Sequence, residues 1–560
     1  MKTKSIKDTI HGYIRIEEPF WKIIDTAEFQ RLKCAEQTSY RVLYPSARHD
    51  RFIHFIGVYH LGQKAIDGLI KNSKEEDTKK LQEYRNSFLL GCILHDLGHA
   101  PFSHTCEDLY NYLDRIDNQK CELNSCLLNL YQSKTSSIEC YSNFEKDYHF
   151  ILKPRNDTCK APSEHEIMSA ILTIENFSKF SSFFDDTLDL DLAIRSILGC
   201  VYAVKPSDTD TVKQEFGLKN CLIRLLNSST VDVDKLDYIA RDTQMSGYDN
   251  VVLDNERLLD STCYIVTRDG IYYPAFKKSA LSVINNVILA KNSQAQWIVN
   301  HPTVLYDAYL LRRAIGLSIK SKYDKEFSQS STILSFDELL KKIFSSESLS
   351  KKGAQVDNLS ISLLSDVDLM YWMKQNIDNK IVSEYFSRDE RKFPIWKSNE
   401  EFLFHLSADK SKAEEVSSFM MPLVKYLNKK SDPLYQSSLI NNSLIDLINS
   451  EHDLELKDEL IAIVNVLLSY TDAVGDKDFE YVSLPAKNNF FAKINAKNIF
   501  IRFGDDEHKY ISYDCITESS TEPRAKSYEF FYLFSSKRID VNHFLNYLYN
   551  QAHTLSSVRA

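Results

Sequence analysis

The stretch Leu94-His95-Asp96-Leu97-Gly98-His99-Ala100-Pro101-Phe102-Ser103-His104-Thr105-Cys106-Glu107 brings three imidazoles and two carboxylates close together. Neutral imidazole and carboxylate oxygen suit a borderline or hard divalent ion. Further histidines beside such an ion are acid–base equipment. Gly98 and Pro101 bend the chain between these groups, and the apolar run from Phe88 to Leu94 leads into them. They are therefore expected in the interior, where imidazoles and carboxylates have to be paired or ligated. Two outlying residues complete a metal constellation of His54, His95, Asp96 and Asp234: His54 in Arg51-Phe52-Ile53-His54, and Asp234 in the run from Val231 to Asp242. Two histidines and two carboxylates leave positions open on a six-coordinate ion, where water or a phosphate oxygen can bind. Alone, a His-Asp pair reads as a capped helix end; with His54 and the later aspartates the metal reading prevails.

The elements that position these residues read as mostly helical, with only 14 Gly and 13 Pro in 560 residues. The spacing predicts helices over 51–69 and 79–95, another after Pro101, and others over 163–174, 188–204, 231–248, 279–299 and 303–321. A hairpin is expected around Cys263–Tyr273, turning at Asp269-Gly270. The polar stretch 121–160 reads as an insertion or lid-like loop, and the Ser-rich piece 345–362 as a linker. Helix resumes to about Tyr470, and 488–513 has strand character through Phe490, Phe491, Ile499, Phe500, Ile501 and Phe503. No internal repeat is visible.

A chain of this length exceeds one compact domain. The 43% apolar and 12% aromatic content is ample for packed cores. A net charge of −10 gives no hint of the basic face that duplex nucleic acid requires, so that partner is not expected. A local basic pocket for a phosphate ligand stays compatible with it. The 11 cysteines are scattered without a CxxC pair, and no secretory signal opens the chain, which reads as cytoplasmic with reduced thiols. The longest apolar stretch, near Leu460–Leu468, is too short to span a bilayer.

The order His54, His95-Asp96, Asp234 resembles the HD superfamily of metal-dependent phosphohydrolases. The sequence is more similar still to its deoxynucleotide triphosphohydrolase branch, which includes bacterial dGTPases and the vertebrate SAM-and-HD-domain enzymes. The resemblance rests on Ile10-His11-Gly12, the run from Ile23 to Leu32, Tyr44-Pro45, Arg51-Phe52 with His54, Gly57-Val58, the block from His95 to His104 and the block from Asp232 to Asp242. It covers roughly the first half of the chain. It implies a mainly α fold: an HD core over 1–320 with a small hairpin and a polar insertion near 119–160, then a helical region over 321–470 and a small α+β part over 471–560. No sterile-alpha-motif domain is expected before the core, because His11 lies so early.

The resemblance also implies an activity: water attacks the α-phosphate of a dNTP, giving deoxynucleoside and triphosphate. His54, His95, Asp96 and Asp234 would hold a divalent ion such as Mn, Mg, Fe or Zn. His99, His104 and His165 match histidines around the α-phosphate. His104 and Glu107 are three apart and share a helical face, so His104 is read as the acid–base residue and Glu107 as the carboxylate that orients it. Without the resemblance, His165 would read as a solvated helix residue. Arg51 and Lys235 match phosphate-contacting positions, where the plain alternative is a surface salt bridge. Gln37, Tyr238 and Asp242 match positions near the sugar, and Lys291 stands where the family has an arginine. Val299 replaces a pocket tyrosine and Thr38 a leucine beside the sugar, which leaves base preference and ribose exclusion open.

Asp25, Gln30 and Lys33, the last in place of an arginine, match positions that recognise an activating nucleotide between subunits. The resemblance thus implies a dNTP or GTP-like activator, bound with Mg, and a homo-oligomer, dimer or tetramer. Its cellular role would be lowering dNTP pools, in antiviral or antiphage defence. Two rivals remain at this stage: an HD nuclease or cyclic-nucleotide phosphodiesterase, since fold does not fix substrate, and a non-catalytic nucleotide sensor, which would have no need of the metal and histidine sets.

Overall fold

In a computed structural model the protein is mainly α-helical, with small sheets. The structure describes residues 2–38, 40–107, 122–135, 137–153, 161–205, 207–248, 252–326, 335–356, 359–430, 439–450, 456–474, 480–486, 494–516 and 528–559. The chain forms two compact units. One comprises Met1–Gln294, Ser330–Leu369 and Phe491–Thr521; the other comprises Ala295–Gln329, Met370–Phe490 and Glu522–Ala560.

In the first unit the helices Arg51–Lys71 and Glu75–Leu94 pack on each other. Asp50 caps the first by accepting the Ile53 backbone N–H at 3.1 Å. The second opens on Glu75, Glu76 and Asp77, where negative charge offsets the helix dipole. Its last turns, Phe88 to Leu94, are wholly buried and carry His95 inward, as the apolar run requires. The helices Glu164–Ser181, Leu190–Leu198, Asp210–Leu226 and Val233–Ser246 close around this pair. The last of these is capped by Asp232, which accepts the Lys235 backbone N–H at 2.9 Å.

The expected hairpin forms between Thr262–Val266 and Tyr272–Lys277. It grows into a four-stranded sheet when Phe500–Arg502 pairs in parallel with its second strand and Tyr510–Ser512 is added outside. Part of the strand character at 488–513 is thereby satisfied; Phe490 and Phe491 lie outside the described residues.

Two expectations need correction. The stretch read as a loop contains two helices, Glu122–Lys134 and Ile138–Ile151. Their buried stripes are Leu127, Leu128 and Tyr131, and Phe144, Tyr148 and Ile151. These apolar positions are few, but they recur at helical spacing, which the polar composition conceals. The Ser-rich linker folds as a short helix, Ser346–Leu349, and a hairpin of Ala354–Val356 with Leu359–Ile361. The helix expected after Pro101 reaches into residues 108–121, which lie outside those described; the described part is a 3-10 turn, Ser103–Thr105, with Phe102 and Ser103 at left-handed φ of 56° and 51°.

The second unit is packed on aromatic residues, with Trp396, Phe402, Phe531 and Phe544 fully buried. Its sheet runs Phe393–Pro394, Phe530–Ser535, Tyr481–Ala486, Leu439–Ile440. Among the described residues, no helix is long and apolar enough to cross a membrane.

Candidate metal and acid–base site

His54 projects from the first turn of the Arg51–Lys71 helix. Its Nδ1 donates to Asp237 Oδ2 at 2.7 Å, which leaves Nε2 facing Asp234 Oδ1 at 3.2 Å. His95 is tied in the same manner: Nδ1 donates to the Cys92 carbonyl at 3.0 Å. Its Nε2 lies 3.5 Å from Asp234 Oδ1 and 3.5 Å from Asp96 Oδ2, and makes no hydrogen bond although buried. Fixing Nδ1 in this way sets the tautomer and turns the Nε2 lone pair outward, as a metal ligand needs. The ligand atoms of His54, His95 and Asp234 all lie within 4.8 Å of one another, so the donor set fits a divalent ion. Burial would depress the His54 pKa, but Asp234 and Asp237 outweigh it and raise it to about 9. Burial works against the Asp234 carboxylate, yet the His54 and His95 imidazoles beside it hold its pKa well below the usual range. An environment that draws a proton to His54 this strongly favours any cation placed there.

Behind His54 lies a buried ionic network. Asp237 accepts His11 Nε2 at 2.7 Å and two Arg241 nitrogens at 2.9 Å, and Arg241 reaches on to both oxygens of Asp8 at 3.0 Å. The network sits against Gly57, where a Cβ would stand 1.9 Å from Asp237 Oδ1 and 2.6 Å from Arg241 Nη2. Only glycine leaves room for the carboxylate that aims His54.

On the other side of Asp96 the histidines are held differently. Neither ring nitrogen of His99 makes a hydrogen bond, although the residue is fully buried. Its ring stacks on His165 at 4.0 Å, and its Nε2 is 3.2 Å from Asp96 Oδ2. Burial, Arg51 and His165 keep the His99 pKa well below 6.5. His165 Nδ1 bonds Glu107 Oε1, and its Nε2 is 3.5 Å from Asp96 Oδ1. Burial would lower this imidazole too, but Glu107 and Asp96 raise it to about 9. The second Glu107 oxygen meets His104 Nδ1 at 2.8 Å, and the His104 side chain is 66% exposed. Gly98 lets this loop press on the Glu164–Ser181 helix, since a Cβ there would lie 2.4 Å from the Ser169 nitrogen.

Arg51 is buried and committed: Nη1 is 2.5 Å from Asp96 Oδ2, and Nε donates to Ser103 Oγ at 2.8 Å. Lys235 Nζ turns to Asp232 and to the Ser228 carbonyl at 2.8 Å, which is the salt-bridge arrangement. Asp242 accepts His49 Nε2 at 2.8 Å and Gln294 Nε2 at 2.6 Å. Lys291 Nζ sits 4.1 Å over the Tyr238 ring. Gln37 Oε1, Thr38 Oγ1 and His49 Nδ1 are buried without hydrogen bonds, and the Gln37 N–H donates to the His49 carbonyl at 3.1 Å. Such unmet polar atoms suit a ligand bearing hydroxyl groups.

Asp25, Gln30 and Lys33 gather elsewhere, around a cavity of about 440 Å³ shared with Lys4, Trp21 and Phe52. Lys4 Nζ pairs with Asp25 at 2.7 Å and lies 3.9 Å over Trp21, while Lys33 Nζ lies 4.6 Å over Phe52.

Several residues of these networks escape a reading by motif. Asp237 lies three beyond Asp234 on the same helical face, and His49 lies two before Arg51; both spacings were visible. Arg31 donates to the carbonyls of Leu97, His99 and Leu364, and nothing in the sequence signals that role.

No protein-family model matches the chain. It is similar to an uncharacterized protein of Methanocaldococcus jannaschii, MJ1154, at 23% identity over 92% of this chain and 96% of that protein. It is 28% identical to the deoxynucleoside triphosphate triphosphohydrolase SAMHD1 homolog of Dictyostelium discoideum, over 46% of this chain and 39% of that protein. It is 36% identical to L394 of Acanthamoeba polyphaga mimivirus, named as HD domain-containing, over 21% of this chain and 28% of that protein. The chain thus spans well under half the length of both of these named relatives, the Dictyostelium discoideum and mimivirus proteins.

Proposed function

We propose that the chain is an HD-domain hydrolase akin to the deoxynucleoside triphosphate triphosphohydrolases it resembles, and that it hydrolyses dNTPs to deoxynucleoside and intact triphosphate. The observation that supports this best is Asp96 standing between two histidine sets: Oδ2 faces His95 and His99, and Oδ1 faces His165. The proposed metal ligands and two of the histidines read as phosphate-binding thereby meet at one carboxylate, which fits action on a single phosphorus.

In this reading the oxygen of water bonds to the α-phosphorus, the bond from phosphorus to the 5′ oxygen breaks, and that oxygen leaves with a proton. His54, His95, Asp96 and Asp234 would hold a divalent ion, whether Mn, Mg, Fe or Zn, which would supply charge neutralisation at the phosphate and acidify the attacking water. His104 delivers the proton, with its Nδ1 held by Glu107 so that Nε2 faces the substrate. Cationic His165 and the unpartnered His99 bind α-phosphate oxygens. Arg51, already beside Asp96, and Lys235 meet the remaining phosphates; Lys235 has to leave Asp232 to do so. Gln37, His49 and Asp242 take the sugar hydroxyl, and Tyr238 with Lys291 flanks the sugar and base.

The cavity at Asp25, Gln30 and Lys33 is assigned to an activating dNTP or GTP-like nucleotide with its Mg ion. Lysines answer its phosphates, and Trp21 and Phe52 offer aromatic faces to its base. The activator would favour an active homo-oligomer, and the cellular effect would be a smaller dNTP pool, as in defence against viruses or phage. The test is chromatographic product analysis with each dNTP, singly and in mixtures, with Mn or Mg. Deoxynucleoside plus triphosphate is expected, faster in mixtures. A nucleotide strand or cyclic nucleotide cleaved instead, or nucleotide bound without turnover, would replace the proposal with the nuclease, phosphodiesterase or sensor reading.

A further inference from the structure

The acid–base turn is held by a residue far away in sequence. Asp366 is buried, and its two carboxylate oxygens accept two backbone N–H groups: Phe102 at 2.7 Å and Glu36 at 2.8 Å. Phe102 and Ser103 both lie in the left-handed region, at φ 56° and 51°. Each such non-glycine residue is held in a sparsely populated conformation and persists only where its surroundings over-determine it. Here the surroundings are explicit. Asp366 holds the Phe102 N–H, Ser103 Oγ donates to the Glu36 carbonyl at 2.6 Å, and Arg51 Nε donates to Ser103 Oγ at 2.8 Å. Arg51 continues to Asp96. Two residues before Asp366, the Leu364 carbonyl accepts a bond from Arg31 at 3.0 Å, and Arg31 with its other bonds holds the carbonyls of Leu97 and His99. The stretch Leu364–Asp366 thus grips the catalytic loop at both ends, just before His104.

We propose that Asp366 is a positioning residue for the acid–base turn: by fixing the Phe102 and Glu36 amides it imposes the left-handed turn that presents His104 and Glu107 to the reacting phosphate. Asp366 itself touches no substrate. The part played by His104 rests on the hydrolase reading above; the grip of Asp366 on the turn does not. A displacement of about 1 Å at a reacting group costs on the order of 10²-fold in rate, so loss of the grip is expected in turnover and not in binding.

The experiment compares full-length wild type with Asp366→Ala and Asp366→Asn. Hydrogen exchange read by mass spectrometry on the metal-loaded protein, without nucleotide, is expected to quicken at least tenfold (roughly, for one lost amide acceptor) in peptides covering Phe102 and Glu36, and nowhere in the Arg51–Lys71 helix. Asn keeps one acceptor oxygen and is expected to fall between wild type and Ala. Single-turnover rates on dNTP are expected to fall about 10²-fold for Ala, with nucleotide affinity and bound metal unchanged and partial rescue by Asn. Unchanged exchange at Phe102 and Glu36 would overturn the proposal, as would a rate loss matched by equal loss of metal or affinity. If dNTPs prove not to be substrates, the hydrolase reading fails, and the exchange measurement still decides for or against Asp366.

Discussion

The two sides of Asp96 are built on opposite principles. On the His54 and His95 side, both imidazoles are tied through Nδ1, and Asp237, Arg241 and Asp8 are bonded behind them in a closed buried network. On the His99, His104 and His165 side, one ring has no hydrogen bond, one is largely exposed, and two share a single carboxylate. The first arrangement ties each Nδ1 to an internal partner and so fixes the Nε2 lone pairs in space. The second leaves both His99 nitrogens without hydrogen bonds and the His104 ring open, so groups remain that an incoming ligand can satisfy. Holding an ion requires the former, and moving a proton requires the latter.

The sharpest way to break this contrast is to remove the rigid side. His95→Ala with Asp96→Ala is expected to abolish hydrolysis and bound metal while the far-ultraviolet circular dichroism stays that of the wild type. Normal turnover in that double variant would refute the metal assignment.

Next is the poised side. His104→Ala should lower the single-turnover rate by about 10²–10⁴ with nucleotide affinity retained, and Glu107→Ala should lower it less. A His104→Ala rate equal to wild type would remove that residue from the mechanism.

The supporting shell comes third. Gly57→Ala places a methyl against Asp237 and Arg241, and losing such a partner behind a metal-binding histidine typically costs about 10–100-fold in metal affinity. Metal titration should show this loss at Gly57→Ala, and a wild-type isotherm would mean that the network does not aim His54.

The same contrast explains what could be read without coordinates. The adjacency of His95 and Asp96, the buried run before them and the helical spacing of His104 and Glu107 are local, so the sequence displays them. Asp366 and Arg31 act through backbone groups hundreds or tens of residues away, and no side-chain pattern marks a distant backbone partner. The two helices within 121–160 were hidden because each buries only a narrow apolar stripe in a polar stretch. The hairpin at 354–361 was hidden because its strands are three residues each, too short to show alternation. Lys235 is a milder case: its motif position suggests phosphate, and its actual partner, Asp232, is the cap three residues before it.

A smaller effect separates the sides by pH. His165 is raised from 6.5 to about 9 in the fold. Its protonated form therefore stabilises the protein fully below about 6.5, and the contribution fades as pH rises through about 9. Denaturant midpoints of the metal-free protein should decline over that window, and His165→Gln should flatten the decline; identical slopes would contradict the assignment. The smallest change expected is in control. Lys33→Glu should weaken activation of one nucleotide by another and leave bound metal unaltered, as read from rates across activator concentrations with sedimentation in parallel. Activation unaffected by Lys33→Glu would detach that cavity from regulation.

The central claim is that the two sides act on one α-phosphorus. It is tested most directly by running the reaction in heavy-oxygen water and reading the products by phosphorus NMR and mass spectrometry. The account predicts triphosphate carrying one heavy oxygen on a terminal phosphorus and a deoxynucleoside carrying none. Pyrophosphate with dNMP, orthophosphate with dNDP, or the label in the nucleoside would contradict it.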